Sequence, residues 1–144
     1  MAVPQRLSAV TLGVADVARA TQFYESLGWH RSSGSQDTIT FFSLQGGCVL
    51  GLFGTEPLAD DAGVPAEGSG FRSVTHSIAL DSPEQVDAAF GEWVAAGATP
   101  VKQPGAAEWG GYTSYVADPD GHLWEILHNP YWPNDEQGRM QLPD

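Results

Sequence analysis

Residues 8–14 read SAVTLGV and residues 74–80 read VTHSIAL, so the chain presents the same kind of strand twice. Each stretch leads into an amphipathic helix, which ends at Gly28 in the first copy and at Gly97 in the second. Three short strands are predicted after each helix. Their ranges are 29–33, 38–44 and 48–53 in the first copy, and 99–103, 111–117 and 122–128 in the second. The repeat predicts an α+β fold of two tandem βαβββ modules.

The repeat also predicts how the chain is organised. The modules are expected at residues 7–54 and 73–130, joined by a linker at 55–72 that is rich in Gly, Pro, Ala and acidic residues. The tail, residues 131–144, has no periodic pattern and is expected to be loose from Asn134 onward. Two such modules form a curled mixed sheet around a shared cleft, with the helices outside. That cleft is the expected ligand site.

Capping and turn residues mark the ends of the predicted elements. Asp16 can cap the first helix, and Ser82, followed by Pro83 and Gln85, has the pattern of a capping box. DPDG at residues 118–121 has the composition of a type I turn. The predicted buried positions of the helices are Val17, Ala20, Phe23, Tyr24, Leu27, Val86, Ala89, Phe90, Trp93 and Val94.

Charge and composition restrict the function. Six basic and 18 acidic residues give a net charge of −12, which disfavours nucleic acid and anionic membranes as partners. The charge suits a neutral or cationic small molecule, or it serves solubility alone. Cys48 is the single cysteine, so no intrachain disulfide forms. No stretch approaches the roughly 20 apolar residues of a membrane span, and residues 1–6 lack a signal-peptide pattern. We therefore expect a cytoplasmic protein.

Two motifs carry a resemblance to a known family. The first module has LGVAD at residues 12–16, leading into Phe23-Tyr24 and Leu27-Gly28-Trp29, and the second closes with DPDGHLWE at residues 118–125. With the paired βαβββ pattern, these motifs resemble the vicinal oxygen chelate superfamily, the group of glyoxalase I, bleomycin-resistance proteins and extradiol dioxygenases. The resemblance implies the fold and a homodimer, which would also cover exposed sheet edges. It does not specify the activity.

Enzymes of this family typically bind a divalent metal through His, Gln or Glu on the first and last strands of each module. The resemblance maps these positions onto Ala9, Gly51, Thr75 and Glu125, of which only Glu125 has a ligand-type side chain. Since such sites need about three protein ligands, we expect neither a metal nor another cofactor. A one-residue shift of strand register would instead place His76 in the cleft.

Glu125 is the one acidic residue expected to face the cleft and is the catalytic candidate. In one interpretation it only accepts hydrogen bonds from neighbouring hydroxyls such as Thr11, Thr75 or Ser77. In the other it acts as a general base, or as an anchor for a cationic or hydroxyl group of a ligand. The sequence leaves both interpretations open.

A second candidate is EWGGYTSY at residues 108–115. Its glycines would let a ligand approach the backbone, and Trp109 and Tyr112 could stack on a planar group. The alternative is an ordinary loop whose aromatic residues cover the core. The expected ligand-binding residues are Thr11, Phe42, Phe53, Thr75, Ser77, Trp109, Tyr112 and Tyr115.

Several functions are compatible with these features. The first is a protein of the bleomycin-resistance type, which binds a small aromatic or cationic molecule in the cleft without a metal. The second is an enzyme: an isomerase, epimerase or lyase with Glu125 as base, or a metal-dependent lyase like glyoxalase I with unusual ligands. A protein without any retained ligand is the third. The sequence does not identify the ligand.

Overall fold

The structure is a computed structural model and describes residues 3–144. The chain divides into an N-terminal unit that ends at Glu67 and a C-terminal unit that runs from Gly68 to Asp144. The N-terminal unit combines two helices with a mixed sheet and the C-terminal unit combines one helix with another, which confirms the predicted α+β class. The elements are β1 (Ala9–Val14), α1 (Val17–Ser26), β2 (Ile39–Ser43), β3 (Val49–Gly54), α2 (Thr55–Ala62), β4 (His76–Ala79), α3 (Pro83–Ala95), β5 (Thr99–Ala106), β6 (Tyr112–Ala117) and β7 (Leu123–His128).

The N-terminal unit has a three-stranded sheet in the order β1-β3-β2. Strand β3 runs parallel to β1 and antiparallel to β2. Alternate residues of each strand face α1, as the period of two along a strand requires. The buried side chains on this face are Leu12, Val14, Thr40, Phe42, Leu50 and Leu52, and α1 contributes Ala20, Thr21, Phe23 and Tyr24. The predicted strand alternation is therefore confirmed in β1.

Helix α1 begins and ends as predicted. The Asp16 side chain accepts a hydrogen bond from the backbone N–H of Arg19 at 3.1 Å, which satisfies one of the free amides of the first turn. Gly28 follows the last turn with a φ of 89°, a backbone conformation that residues other than glycine rarely adopt.

The strand predicted at residues 29–33 is absent. Only an isolated bridge between Arg31 and Phe42 lies beside the outer edge of β2. The hydroxyl of Ser35 accepts a hydrogen bond from the backbone N–H of Phe41 at 2.9 Å, a bond that a neighbouring strand would otherwise make. Serine side chains compete with strand ladders in this way, so the segment folds as turns instead.

The segment predicted as a linker at residues 55–72 begins with a helix. Helix α2 follows β3 without a break, carries Glu56 in its first turn and ends at Gly63 with a φ of 76°. An acidic first turn and a left-handed glycine are both favourable at helix ends, and they explain why this stretch is helical despite its composition. None of the residues of α2 is buried.

The C-terminal unit has a four-stranded sheet in the order β4-β7-β6-β5, with β4 parallel to β7 and the other pairs antiparallel. Helix α3 covers one face. Its residues Val86, Phe90 and Trp93 are buried, and the rings of Trp93 and Trp124 lie 5.2 Å apart. The prediction that Trp93 belongs to the core is confirmed. Val94, predicted in the same stripe, is instead 37% exposed.

Side chains cap the N-terminal end of α3. Ser82 accepts a hydrogen bond from the N–H of Gln85 at 3.2 Å, and the Gln85 side chain accepts one from the N–H of Asp81 at 3.0 Å. The capping box is thus confirmed for Ser82, whereas its reciprocal bond reaches one residue further back than the standard pattern.

The turn at residues 118–121 forms as predicted. The Asp118 carboxylate accepts hydrogen bonds from the N–H groups of Asp120 and His122, each at 2.9 Å, and Gly121 has a φ of 87°. Asp118 is 3% exposed. The turn therefore fixes the register between β6 and β7, on which the placement of Glu125 depends.

The tail is not loose where the structure describes it. Asp135 accepts backbone hydrogen bonds from Gln137 and Arg139 within a tight turn, each at 2.9 Å. The side-chain amide of Asn134 donates to the carbonyl oxygen of Ala79 at 2.9 Å. The Asn134 bond attaches the tail to the end of β4, and the Asp135 bonds order the turn that follows. No helix within residues 3–144 is long and apolar enough to cross a membrane.

Candidate functional site

A group of hydroxyls hydrogen-bonded to one carboxylate lies on the face of the C-terminal sheet that α3 leaves uncovered. Glu125 on β7 accepts a hydrogen bond from the Ser77 hydroxyl on β4 at 3.1 Å and another from the Thr113 hydroxyl on β6 at 2.7 Å. Tyr115 on β6 also interacts with this carboxylate. We call the surface formed by Ser77, Thr113, Tyr115 and Glu125 the carboxylate face.

Strand register brings these four side chains together. Ser77 lies opposite Glu125 in the parallel β4–β7 pair, and Tyr115 lies opposite Glu125 in the antiparallel β6–β7 pair. Directly opposite residues project to the same side of a sheet. Their neighbours Trp124 and Ile126 are buried on the helix-covered side. Glu125 therefore faces away from α3, as the strand alternation predicts.

The environment of Tyr115 keeps its phenol protonated. Burial, followed by the charge of Glu125 and a hydrogen bond to it, raises the pKa of Tyr115 above its ordinary value. A tyrosine with a raised pKa remains neutral throughout the physiological pH range. The site therefore combines a carboxylate acceptor with a neutral hydroxyl donor.

The carboxylate has little unused capacity. An ionised carboxylate offers about four lone-pair positions, and Ser77, Thr113 and Tyr115 occupy most of them. Glu125 is nonetheless partly exposed and Ser77 is exposed. A ligand can therefore reach the carboxylate. The interpretation that Glu125 bonds neighbouring hydroxyls holds for Ser77, while Thr113 was not anticipated even though it shares the strand alternation of Tyr115.

Two predicted ligand-binding residues of this unit lie elsewhere. Thr75 is exposed and precedes β4, outside the sheet. Tyr112 donates its hydroxyl hydrogen to Asp87 of α3 at 2.8 Å, so it lies on the helix-covered side, opposite Glu125. This bond raises the pKa of Tyr112, with a further contribution from its partial burial. Tyr112 is thus bound to α3 and does not line the carboxylate face.

Trp109 lies in the turn between β5 and β6 and is 48% exposed. Its indole ring lies so close to Gly111 that a Cβ atom on that glycine would collide with it. The turn is closed by two backbone bonds, from Ala107 to Gly111 at 2.8 Å and from Gly110 to Ala107 at 2.9 Å. The glycines of this segment therefore make room for aromatic rings of the protein itself.

The face of the N-terminal sheet opposite α1 is mostly apolar, with hydroxyls at Thr11 and Ser43. Thr11, Gly51 and Phe41 are paired across the three strands, and Phe53 follows on β3 on the same side. A Cβ atom at Gly51 would lie 3.1 Å from the Thr11 hydroxyl and 3.5 Å from the Phe41 ring. These residues are in contact, so a side chain at position 51 would have no free space.

Phe42 was wrongly assigned to this face. It is 1% exposed, and its ring lies 6.1 Å from that of Tyr24 on α1, within the core. Phe41 occupies the position expected for Phe42. The sequence has two adjacent phenylalanines here, so the error is one residue of strand alternation. The neighbouring Thr40 is polar, which suggests a surface position. It is nevertheless buried, and its hydroxyl accepts a hydrogen bond from Thr21 at 2.8 Å.

The side chains at the family's metal-ligand positions do not fit a divalent ion. Ala9 and Gly51 carry no donor atom, and both oxygens of Glu125 already accept hydroxyl hydrogen bonds. His76 lies on the helix-covered side, 5.1 Å from the Trp124 ring, with Nδ1 3.3 Å from the Leu123 carbonyl oxygen. Within residues 3–144, no group of three or more His, Cys, Asp or Glu side chains is arranged to hold a metal.

Comparison with known proteins agrees with the architecture. A glyoxalase-related enzyme from Fulvimarina pelagi is 32% identical, with 98% of this chain and 100% of that chain covered and a TM-score of 0.87. A glyoxalase/bleomycin resistance protein/dioxygenase from Nocardioides is 25% identical over 89% of this chain and 85% of its own, with a TM-score of 0.75.

A lactoylglutathione lyase from Agrobacterium tumefaciens shares the fold at 24% identity, with 90% and 98% of the two chains covered and a TM-score of 0.66. No curated protein matched the chain. The model of the Glyoxalase/Bleomycin resistance protein/Dioxygenase superfamily matches residues 6–126, which include β1 and most of β7. The chain therefore belongs to the Glyoxalase/Bleomycin resistance protein/Dioxygenase superfamily.

Proposed function

We propose that this protein binds a small organic molecule through a cationic or hydroxyl group that is anchored at Glu125, without a metal. The observation that supports this most directly is the fixed carboxylate on the carboxylate face. Ser77 and Thr113 hold its two oxygens from neighbouring strands, so its orientation is set before any ligand arrives. Preorganised polar groups of this kind orient ligands in binding sites.

Charge supports a cation over an anion. The chain carries a net charge of −12. Among the four residues of the carboxylate face the charged one is Glu125, while Lys102 on the edge strand β5 lies opposite Tyr115, on the same side of the sheet and next to that face. A negative surface raises the local concentration of cations and repels anions. The Tyr115 hydroxyl already bonds the same carboxylate, so an alcohol would bind by donating its hydroxyl hydrogen to the remaining acceptor position of Glu125.

The hydrogen bonds favour an anchor over a general base. A base must offer a lone pair to the proton that it removes. Ser77 and Thr113 already donate to the two oxygens of Glu125, which leaves fewer lone pairs for a reacting proton. An anchor needs only charge and one remaining acceptor position.

An isomerase, epimerase or lyase without a metal is the second candidate. The observation in its favour is the pairing of a carboxylate with a phenol whose pKa is raised, because proton-transfer enzymes use such acceptor and donor pairs. The name of the Agrobacterium tumefaciens relative suggests a lyase; a metal-dependent lyase like glyoxalase I would require ligands other than the side chains at Ala9, Gly51 and Thr75.

Three probes of similar shape test the anchor: benzylammonium, benzyl alcohol and benzoate. We expect affinity, measured by ligand-observed NMR, to fall in that order. Glu125→Gln should remove the preference for benzylammonium and weaken its binding by roughly tenfold, the effect of losing one charge-assisted hydrogen bond. Glu92→Gln, on the exposed surface of α3, removes the same charge elsewhere and is the matched control.

Benzylammonium that binds Glu125→Gln as tightly as the unchanged protein would contradict the anchor. If a substrate is later found, Glu125→Gln also separates the two candidates. Loss of turnover with unchanged substrate affinity identifies a base, whereas loss of affinity identifies an anchor.

A further inference from the structure

We infer that Trp109 is the second contact point of the same ligand, which therefore has a planar aromatic group joined by a short linker to the cation bound at Glu125. This inference rests on the proposed function and specifies its ligand class. It depends on where the indole lies relative to the carboxylate face.

The indole lies on the same side of the sheet as Glu125. Gly111 directly precedes β6, and its side-chain direction alternates in step with Thr113 and Tyr115, so all three positions face the carboxylate side. A Cβ atom at Gly111 would collide with the Trp109 indole. The ring therefore occupies the place of the missing Gly111 side chain, at the end of the carboxylate face.

The spacing sets the length of the ligand. Same-side residues two positions apart on a strand are separated by about 7 Å, so this is the distance from Gly111 to Thr113. The Thr113 hydroxyl lies 2.7 Å from the Glu125 carboxylate. A ring stacked at Trp109 and a cation at Glu125 are thus separated by on the order of 7 Å, the length of a linker of a few bonds.

The turn that carries Trp109 packs against Tyr131, and the indole itself is accessible. Gly110 has a φ of 103°, and the Tyr131 ring lies against it, 3.0 Å from where a Cβ atom would be. With 48% of its surface exposed, Trp109 can still receive a stacked ring.

Chain-length probes test this placement. 3-Phenylpropylammonium has the ring and a linker of matching length, benzylammonium has a linker that is too short, and propylammonium lacks the ring. We expect Trp109→Ala to lower the affinity for 3-phenylpropylammonium by roughly fivefold to tenfold, the effect of one lost aromatic pair. Propylammonium binding should not change, and Trp109→Phe should recover part of the loss.

Gly111→Ala provides an independent arm that leaves both contact residues in place. The added methyl group displaces the indole, so the affinity for 3-phenylpropylammonium should fall as in Trp109→Ala, and quenching of tryptophan fluorescence by acrylamide should change. Gly91→Ala on α3 is the matched control, because a Cβ atom there meets nothing within 4 Å. Melting temperatures establish that all four variants are folded.

The outcomes separate this inference from the proposed function. If Glu125→Gln weakens 3-phenylpropylammonium while Trp109→Ala and Gly111→Ala do not, the aromatic contact is refuted and the anchor stands. Equal losses of propylammonium and 3-phenylpropylammonium in Trp109→Ala also refute the contact, because the ring would then not be responsible. If neither 3-phenylpropylammonium nor propylammonium binds the unchanged protein, the proposed function itself fails.

Discussion

Tyr112 and Tyr115 lie three positions apart on β6, so strand alternation turns them to opposite sides of the sheet. Tyr112 donates to Asp87 on the helix-covered side, whereas Tyr115 lies on the carboxylate face with Glu125. The sequence places both in one aromatic segment and cannot separate them, because the strand alternation is known only after the end of the turn is known. Both phenols have a raised pKa: that of Tyr112 is raised mainly by its hydrogen bond to Asp87, and that of Tyr115 mainly by burial, to which Glu125 adds.

The titration of these phenols is the first prediction. A raised pKa means that the folded state holds the proton more tightly than the unfolded chain does. The stability gained is therefore present below the unfolded pKa of about 10 and is lost as the pH rises through the folded pKa. In a tyrosinate absorbance titration, Tyr115→Phe and Tyr112→Phe should each remove one late-titrating phenol from the four of the chain.

The partner carboxylates provide the controls for this titration. Glu125→Gln should lower the pKa of Tyr115 without affecting Tyr112, and Asp87→Asn should do the reverse. A shift of both phenols in either variant would show that overall charge, and not the neighbouring carboxylate, causes the raised values.

At the scale of elements, local chemistry predicts ends better than it predicts pairing. The caps Asp16 and Ser82 and the turn at residues 118–121 depend on bonds within a few residues, and all were predicted correctly. The strand at residues 29–33 was wrong because the Ser35 side chain takes the place of a strand partner. Helix α2 was missed because its favourable first turn and glycine end lie within a stretch that has the composition of a linker.

A pair of glycines tests the energetics of helix ends. Gly28 and Gly91 both have open space where a Cβ atom would be added, but Gly28 has a φ of 89° and Gly91 lies within α3. Gly28→Ala should destabilise the protein by about 1 kcal/mol, because the left-handed conformation strains alanine. Gly91→Ala should stabilise it by up to about 1 kcal/mol through helix propensity. Denaturant unfolding measures both, and equal signs would show that space, not backbone conformation, dominates.

At the scale of the whole molecule, we propose a homodimer. Two large apolar residues near the start of the C-terminal unit are exposed: Phe71 at 67% and Val74 at 52%. Such a group is a common feature of interfaces. Light scattering at micromolar concentration should give twice the mass of the chain, and Phe71→Ser should weaken the dimer. Val101→Ser, on the exposed edge strand β5, is the control; a monomeric protein would contradict the proposal.

The fold and the orientation of Glu125 could be predicted from the sequence because both follow from repeated, short-range patterns. Its partners could be predicted only in part. The alternation along β4 is enough to predict which side Ser77 faces. Thr113 bonds Glu125 because of the register of β6 against β7, which no single strand specifies. Phe41 and Phe42 were exchanged for a different reason, an error of one residue in the alternation of β2, which the buried hydrogen bond between Thr21 and Thr40 reveals.

The final prediction concerns metal. Binding a transition metal needs about three protein ligands, and the residues at the family's ligand positions supply too few donors. We expect elemental analysis of the purified protein to find no stoichiometric zinc, nickel, iron or manganese, and chelators to leave its melting temperature unchanged. For His76 to act as a ligand beside Glu125, β4 would have to turn over and separate His76 from the Trp124 ring, which lies 5.1 Å away. About one metal ion per chain, lost on His76→Ala, would refute both the metal-free proposal and the observed strand register. Loss on Glu125→Gln alone would instead show that the carboxylate exchanges its hydroxyl hydrogen bonds for a metal, and the anchor would then act through that ion.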